Sequence, residues 1–367
     1  MIIAWIFGTI VFIYCLFVLY LWLGWEQIEL GEDEEYLPSV AVIIPVRNEA
    51  ETIRPLLQDL FGQTYKGMWE MVVVNDHSED HTIQVVKNEF KGKANCHLLE
   101  LEGDEGKKAA LAMGIANTQA SIILTIDGDC RVRPEWIKAM TSAFSNSTQM
   151  VSGPVGFTNN AGLFHQMQVI EFASLIGSGA ALIGWHKPVM ANGANLAFRK
   201  SAFEAVGGYN DSTTASGDDV FLLHKIAEKY PDSVAFARNE EAIVRTQTPG
   251  SFKRFWQQRK RWASKWKAYS DGLTRAIAVF IFIVSLSMGA LPVLVASGVV
   301  SLFTWLNLLV AKSFFDYFFL RQIVKFSGAK MNLPAFLLLQ LIYPYYVVST
   351  ALFSFRKTYS WKGRKVK

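Results

Sequence analysis

Cysteine is scarce in this 367-residue chain, with three residues at positions 15, 96 and 130. None has the paired or metal-ligand spacing of a disulfide scaffold or a zinc site, so they read as three reduced thiols in a cytosolic setting. Internal repeats and low-complexity segments are also missing. A strong charge of either sign is absent: 36 Lys and Arg against 32 Asp and Glu leave +4. Much of that surplus lies beside apolar segments, which points to lipid headgroups or orientation and not to nucleic acid. Charge is absent altogether from residues 2–25, 276–311 and 333–355. Each run exceeds or approaches the roughly 20 apolar residues that cross a hydrocarbon core.

These runs bracket residues 38–270, whose mixed composition is that of a folded domain. The first run has no basic leader and no A-x-A-like cleavage site, and it carries Trp5, Trp22 and Trp25. It therefore reads as a retained helix and not a cleaved signal peptide. Run 276–311, with the stretch to Leu320, is expected to be a two-helix hairpin broken near Pro292 to Gly298. Run 333–355 is a last span interrupted by Pro344. The expected order is a membrane helix (1–25), an acidic linker (26–37) and a catalytic domain (38–248). An amphipathic interfacial helix (249–272), a membrane region of two to three helices (273–355) and a basic tail (356–367) follow. Lys265, Lys267, Arg275, Arg321, Lys325 and Lys330 favour a cytoplasmic domain. The tail asks to be cytoplasmic too, which a single crossing at 333–355 would forbid, so the side of the C-terminus stays open.

Within the domain, VAVIIPV (40–46) is a short apolar run rich in β-branched residues, and MVVVND (71–76), CHLLELE (96–102) and SIILTIDGD (121–129) follow it as further short segments with apolar stretches. They read as buried strands, and the helical spacing of residues 50–63 and 107–118 alternates with them. Such alternation implies an α/β domain with a mostly parallel, Rossmann-like sheet, whose ligands bind beyond the carboxyl ends of the strands. The polar residues fall there: Arg47, Asn48 and Glu49, then Asn75 and Asp76, then Asp127 and Asp129.

Asp127-Gly128-Asp129 presents two carboxylates that suit a hard cation bridging phosphates, although Asp-Gly is also a common turn pair. Asp76 is placed to bind a base or ribose, or to cap the next helix. Arg47 and Glu49 match a surface ion pair equally well, and His77 and His81 are assigned nothing. Asp218 and Asp219 precede an apolar helix, so they read either as first-turn carboxylates or as a general base for a hydroxyl. QRKRW (258–262) lies in a basic, aromatic stretch that suits a helix resting on headgroups. Arg261 on a leaving diphosphate and Trp262 on a sugar face are compatible with that placement.

Taken together, VIIPVRNEAETI, VVVNDHSED, GKKAALAMGI, TIDGDC, NGANLAFRKSAFEAVGGY, SGDDVFL and QRKRW resemble the family 2 glycosyltransferases, in that family's order over residues 38–265. The last segment is similar to the membrane-embedded branch with a Q-x-x-R-W motif, which includes cellulose, chitin, hyaluronan and poly-N-acetylglucosamine synthases. The resemblance implies a GT-A fold flanked by transmembrane helices and an inverting transfer. Pro45, Arg47 and Glu49 would line the nucleotide pocket, Asp76 would contact the uracil or ribose, and Lys107 would lie near the nucleotide. Asp127 and Asp129 would be the D-x-D pair, with Asp129 the direct ligand of Mg2+ or Mn2+. Asn192 to Asn195 would shape the acceptor side. Asp219 would be the base, preceded by Asp218 where the family usually has Glu. Gln258, Arg261 and Trp262 would hold the diphosphate and acceptor sugar. The expected partners are a nucleotide-sugar donor, a lipid-linked or saccharide acceptor, membrane lipids and a membrane partner subunit. The expected location is a bacterial inner membrane with the catalytic domain in the cytoplasm.

A nucleotidyltransferase would share the topology but needs a glycine-rich loop after the first strand, and PVRNEAE has no glycine. A non-catalytic scaffold subunit would have no use for both acidic clusters and QRKRW. Single addition to a lipid-linked acceptor and processive polysaccharide synthesis both remain compatible with the sequence.

Overall fold

The computed structural model describes residues 2–29, 36–103, 105–158, 161–209, 218–264, 271–354, 359–361 and 364–366. Much of the expected acidic linker and basic tail, and the segment before Asp218, lie outside the described residues. Among those described, α1 (Ile2–Glu26) leads into β1 (Val40–Val46), α2 (Ile53–Phe61), β2 (Trp69–Asn75), α3 (Thr82–Glu89) and β3 (Cys96–Glu100). Next come α4 (Lys107–Ala116), β4 (Ile122–Thr125), α5 (Trp136–Thr141), β5 (Met150–Ser152), β6 (Val155–Phe157) and α6 (Leu163–Gly184). The second half holds β7 (Leu196–Arg199), α7 (Lys200–Ala205), α8 (Asp218–Lys229), β8 (Val234–Phe236) and β9 (Val244–Thr246). Last are α9 (Phe252–Ala263), α10 (Gly272–Ala296), α11 (Leu302–Phe326) and α12 (Leu333–Phe353).

The main sheet has the order β3-β2-β1-β4-β7-β5-β8. Its pairs are parallel except where β7 runs against both β4 and β5, so the sheet is mostly parallel, as its alternating elements imply. Val40 to Ile44 are wholly buried, because β1 is central and covered on both faces. Pairing of β1 with β2 continues to Val46, whereas pairing with β4 ends at Ile43 and Thr125. Pro45 stands just past that divergence. Ile126 donates to the Ile43 carbonyl on the β4 side, and Pro45, two residues on, would point its absent N–H the same way. A proline is tolerated there because the ladder has already ended. The chain after β4 then turns at Asp127-Gly128-Asp129, where Gly128 packs against Val46 and Glu49.

Three of the four helices long and apolar enough to cross a membrane are α1, α10 and α12, matching the uncharged runs. The fourth, α6, is mostly buried inside the protein, and the sequence reading did not single it out. The hairpin breaks after Ala296, with Gly298 at φ 74°, and Pro292 lies inside α10. Helix α11 carries charge because Lys312 and Asp316, four residues apart, pair inside the bundle at 2.6 Å. Gln340 of α12 accepts from Lys312 and Tyr14 of α1 donates to Asp316, so one buried polar knot ties three helices together.

The first helix is bound to the catalytic domain, not merely adjacent to it. Trp185, just past α6, stacks on Tyr20 at 5.0 Å and donates to the Tyr20 carbonyl, while Arg238 donates to the carbonyl of buried Trp25. The backbones meet at glycines. A Cβ on Gly24 would lie 2.4 Å from the Ala181 carbonyl oxygen, and one on Gly184 would lie 2.1 Å from that of Gly24. Neither carbonyl can move without breaking its helix. Gly24→Ala should therefore lower the thermal unfolding midpoint, with a cost of about 1–3 kcal/mol for overpacking. Gly8→Ala, which meets nothing within 4 Å, should leave it unchanged in the same detergent.

Candidate functional site

The first two βα loops are laced together at the carboxyl end of the sheet. Asn48 donates its amide to Ser78 Oγ at 3.0 Å and accepts from the Glu79 amide at 2.9 Å. Thr82 Oγ1 accepts from the Glu49 amide at 2.8 Å, and Asp80 accepts from the Ala50 amide at 3.1 Å. Donation from Thr82 and the Ala50 amide outweighs partial burial and holds the Asp80 carboxyl below the usual range. Two residues without glycine's freedom, Asn48 and His77, both adopt φ 52°. Asn tolerates that region better than most residues, and the cross-loop bonds hold both turns.

Beneath this lacing, Arg47 and Asp76 are buried at 6% and 2% exposure. Arg47 Nη1 donates to the Asp76 carbonyl at 3.0 Å, and Nη2 lies 3.5 Å from the Glu79 carboxylate. His77 Nδ1 is 3.2 Å from Asp76 Oδ1. A pocket of about 860 Å3 opens here, walled by Arg47, Asn75, His77, Ser78, Glu79 and Leu101 among others. That volume suits a small-molecule ligand. Pro45 and Glu49 border it from the strand end and loop but do not form its wall.

On the other side of β1, Gly128 packs against loop one. A Cβ there would sit 3.1 Å from Val46 Cγ1 and 3.4 Å from Glu49 Cγ. The Asp127-Gly128-Asp129 turn is thus pressed against the end of β1, and Cys130 accordingly points inward. Burial, reinforced by the Asp127 and Asp129 carboxylates, pushes the Cys130 thiol up and keeps it protonated. Lys107, the first residue of α4, forms an ion pair with Asp127; sequence placed it near the same site but did not foresee that partner. Asp129 is exposed.

Asp219 lies in the first turn of α8. Its Oδ2 accepts from the Gly193 amide at 2.9 Å, and its Oδ1 from the Val220 amide at 2.9 Å. Gly193 in turn accepts at its carbonyl from Thr125 Oγ1 at 3.2 Å. Thr125 ends β4 two residues before Asp127, so two hydrogen bonds connect the acidic turn to the acidic helix start. Asp218 opens α8, and its side chain lies outside the described residues.

The segment before β7 departs from the sequence reading at one residue. Asn195, expected on the acceptor side, is completely buried. Its Nδ2 donates to the Pro154 and Ala242 carbonyls at 2.7 and 2.8 Å, and its Oδ1 accepts from Trp136 Nε1. It braces the sheet and faces no acceptor. Asn192 is half-buried and accepts from the Ala194 amide, which shapes the turn that presents Gly193.

QRKRW lies on α9, capped by Ser251. The residue that anchors it is Arg259, which sequence reasoning left out. Arg259 is 3% exposed and its guanidinium grips Glu171 of α6 with two donors, Nε at 2.9 Å and Nη2. Tyr346 of α12 donates to the same carboxylate at 3.2 Å. Arg259 also donates to Gln258 Oε1 at 2.6 Å and lies 4.3 Å from the Trp262 ring centroid. One face of Trp262 is thereby covered. Arg261 is half-buried one turn from the helix end. These bonds run from α9 to α6 and α12, not to the acidic turn. A lone Glu in an apolar 22-residue helix was the available signal, since such a carboxylate demands a partner.

Among the described residues no group of three or more His, Cys, Asp or Glu could hold a metal by itself. The acidic turn suits a hard cation that keeps water and takes phosphate oxygens as its remaining ligands.

The model of the family described as Glycosyl transferase family 2 matches residues 41–207. Among curated proteins, the chain is 32% identical over 192 residues to glycosyltransferase AglE of Haloferax volcanii, covering 50% of this chain and 59% of the relative. It is 29% identical over 243 residues to the probable glycosyltransferase YdaM of Bacillus subtilis, covering 63% and 56%. It is 26% identical over 268 residues to poly-beta-1,6-N-acetyl-D-glucosamine synthase of Staphylococcus aureus, covering 71% and 61%. The matched region thus spans a little over half the length of these relatives. Among solved structures, the mannosyltransferase PcManGT of Pyrobaculum calidifontis, in complex with GDP-Man and Mn2+, superposes with TM-score 0.66 over 96% of this chain and 99% of its own, at 19% identity; that likeness is one of fold. Residues 41–207 of this chain thus resemble the family 2 glycosyl transferase domain, and the curated relatives they match include proteins named as glycosyltransferases.

Proposed function

We propose that this protein is a membrane-bound inverting glycosyltransferase that moves a sugar from a nucleotide-sugar, a UDP-sugar by preference, to a lipid-linked acceptor. The observation that carries the reading is the pair of hydrogen bonds from Thr125 through Gly193 to Asp219. They tie the Asp219 carboxylate, through one residue, to the strand end that leads into the acidic turn. The pocket beside Asp76 and Arg47 receives the nucleoside, with Asp76 facing base or ribose, and Lys107 lies on the phosphate side. A divalent cation, Mg2+ or Mn2+, held by Asp129 and Asp127, supplies Lewis-acid stabilisation of the leaving diphosphate. The solved mannosyltransferase of this fold carries a sugar nucleotide and Mn2+, which supports that choice.

Asp219 acts as the base. Each of its oxygens accepts one backbone N–H and retains a lone pair for an acceptor hydroxyl. It takes that proton as the acceptor oxygen attacks the anomeric carbon from the face opposite the diphosphate, and an α-linked donor yields a β-linkage. Gln258, Arg261 and Trp262 bind diphosphate and acceptor at the membrane side. The apolar helices α1, α10 and α12 support a bacterial inner-membrane location, read here with the domain on the cytoplasmic face, where a partner subunit would be needed for a polymer channel. Processive synthesis of a β-linked polysaccharide is the second reading, favoured by the identity to the poly-N-acetylglucosamine synthase.

Asp219→Asn should reduce sugar transfer by about 100-fold or more, the usual contribution of a general base, while donor binding by calorimetry changes little. A parallel collapse of donor affinity would show that Asp219 binds donor instead. Asp129→Ala should remove the cation dependence of donor binding. The measurement is titration of a UDP-, GDP- and dTDP-sugar panel into the purified chain with and without Mn2+. Wild-type curves that coincide in both buffers would eliminate the metal.

A further inference from the structure

A second cavity, of about 320 Å3, lies between α6, α9 and α12, away from the acidic turn. Its wall is aromatic and aliphatic, with Phe255 and Trp256 from α9 and Met167 from α6. Its rim includes Phe252, Ile342 and Tyr345, all of them exposed. Ile342 and Tyr345 belong to a band of exposed apolar residues on α12 that also includes Leu337 and Leu341. The cavity is therefore continuous with the face that α12 turns to hydrocarbon in the proposed membrane placement. Water gains little from such a wall, whereas a hydrocarbon chain entering sideways loses nothing by leaving lipid.

One feature of the wall is not apolar. Gln168 is 2% exposed, and its Nε2 makes a long bond of 3.4 Å to the Pro249 carbonyl. Its Oε1 is buried and meets no donor among the described residues. A buried acceptor left without a donor is costly; of the other polar residues of the wall, which include Tyr345 and Ser349, Glu171 and Tyr346 are bound to each other. We infer that this cavity binds one amphiphile that joins a hydrocarbon chain to a hydroxyl group, the chain passing the Ile342–Tyr345 rim and the hydroxyl donating to Gln168. This goes beyond the proposed function and rests on its membrane placement: the cavity lies away from the acidic turn, so the hydroxyl held by Gln168 is not the one that Asp219 deprotonates, and the amphiphile is a bound lipid distinct from the acceptor. Bulk phosphatidylcholine supplies the chain but no hydroxyl donor. Because Glu171 and Tyr346 line the cavity and hold Arg259, which holds Gln258, the occupant touches the same bonds that position the QRKRW helix.

The test uses the full chain in phosphatidylcholine nanodiscs. Trp256 lines the cavity, so its fluorescence, taken as the difference between the wild type and Trp256→Phe, reports a bromine atom seated there. With 11-bromo-1-undecanol that component should be quenched saturably, at a concentration roughly tenfold below that needed with the methyl ether of the same chain, the scale of about 1.4 kcal/mol. Gln168→Leu should bring the two curves together, and Ser349→Phe, which fills the cavity, should remove the saturable part. Equal curves for alcohol and ether in the wild type would overturn the hydroxyl contact. Quenching that never saturates, or that survives Ser349→Phe in a folded protein, would mean partition into the bilayer and overturn the site. Because no sugar is transferred in this assay, its failure is separable from loss of activity in Asp219→Asn.

Discussion

Gly193 stands between the acidic residues of β4 and those of α8, and the arrangement of the site depends on its two hydrogen bonds. Its carbonyl is taken by Thr125 and its amide by Asp219. A Cβ at this position would approach Asp219 Cβ to 3.3 Å, so a larger residue would push the carboxylate away. A bond to a charged acceptor contributes about 1.5–3 kcal/mol, more than a neutral one. That is enough to fix one rotamer of a half-exposed side chain. Thr125 can offer its hydroxyl because β4 is short and ends at that residue, just where its partner β1 continues without it.

The pocket beside Arg47 is built differently. There the loops after β1 and β2 exchange side-chain and backbone hydrogen bonds, and both contain a residue in the left-handed region. Such conformations cost of order 1–3 kcal/mol each and persist only when neighbours over-determine them. The exchange buries Arg47 and Asp76 together. Arg47 lines the pocket with Asp76 buried behind it, while the outer wall, with Glu79, stays open to solvent.

Among the helices, one guanidinium organises three, α6, α9 and α12. Arg259 and Glu171 are nearly fully buried, and removing either partner would strand the other charge, at roughly 3–5 kcal/mol. The pair is therefore less a source of stability than a device that allows a single seating of α9 against α6 and α12. The Lys312–Asp316–Gln340–Tyr14 knot does the same for α1, α11 and α12. Between them the two networks fix every apolar helix except α10.

The sequence by itself showed the first four strands and the polar residues at their carboxyl ends, but not β5, β7 and β8 of the same sheet nor the reversed direction of β7. The central strands β1, β2 and β4 each carry consecutive Val or Ile residues, and β1 was read at its observed limits, Val40–Val46. The D-x-D turn and the Asp219 helix start were legible for the same reason. The uncharged runs gave α1, α10 and α12, because no charge can be hidden in a single lipid-facing helix. What only the tertiary structure decided is which polar groups face a ligand and which face each other. Asn195 and Asn192 look alike in sequence, yet one is a buried brace and the other shapes a turn. Arg259 and Arg261 look alike too, but two residues along a helix of 3.6 residues per turn put them on opposite faces, so the partner of Glu171 is buried and its neighbour is not. Pairing across 88 residues leaves no local pattern, since it is set by how helices pack and not by the propensity of either segment.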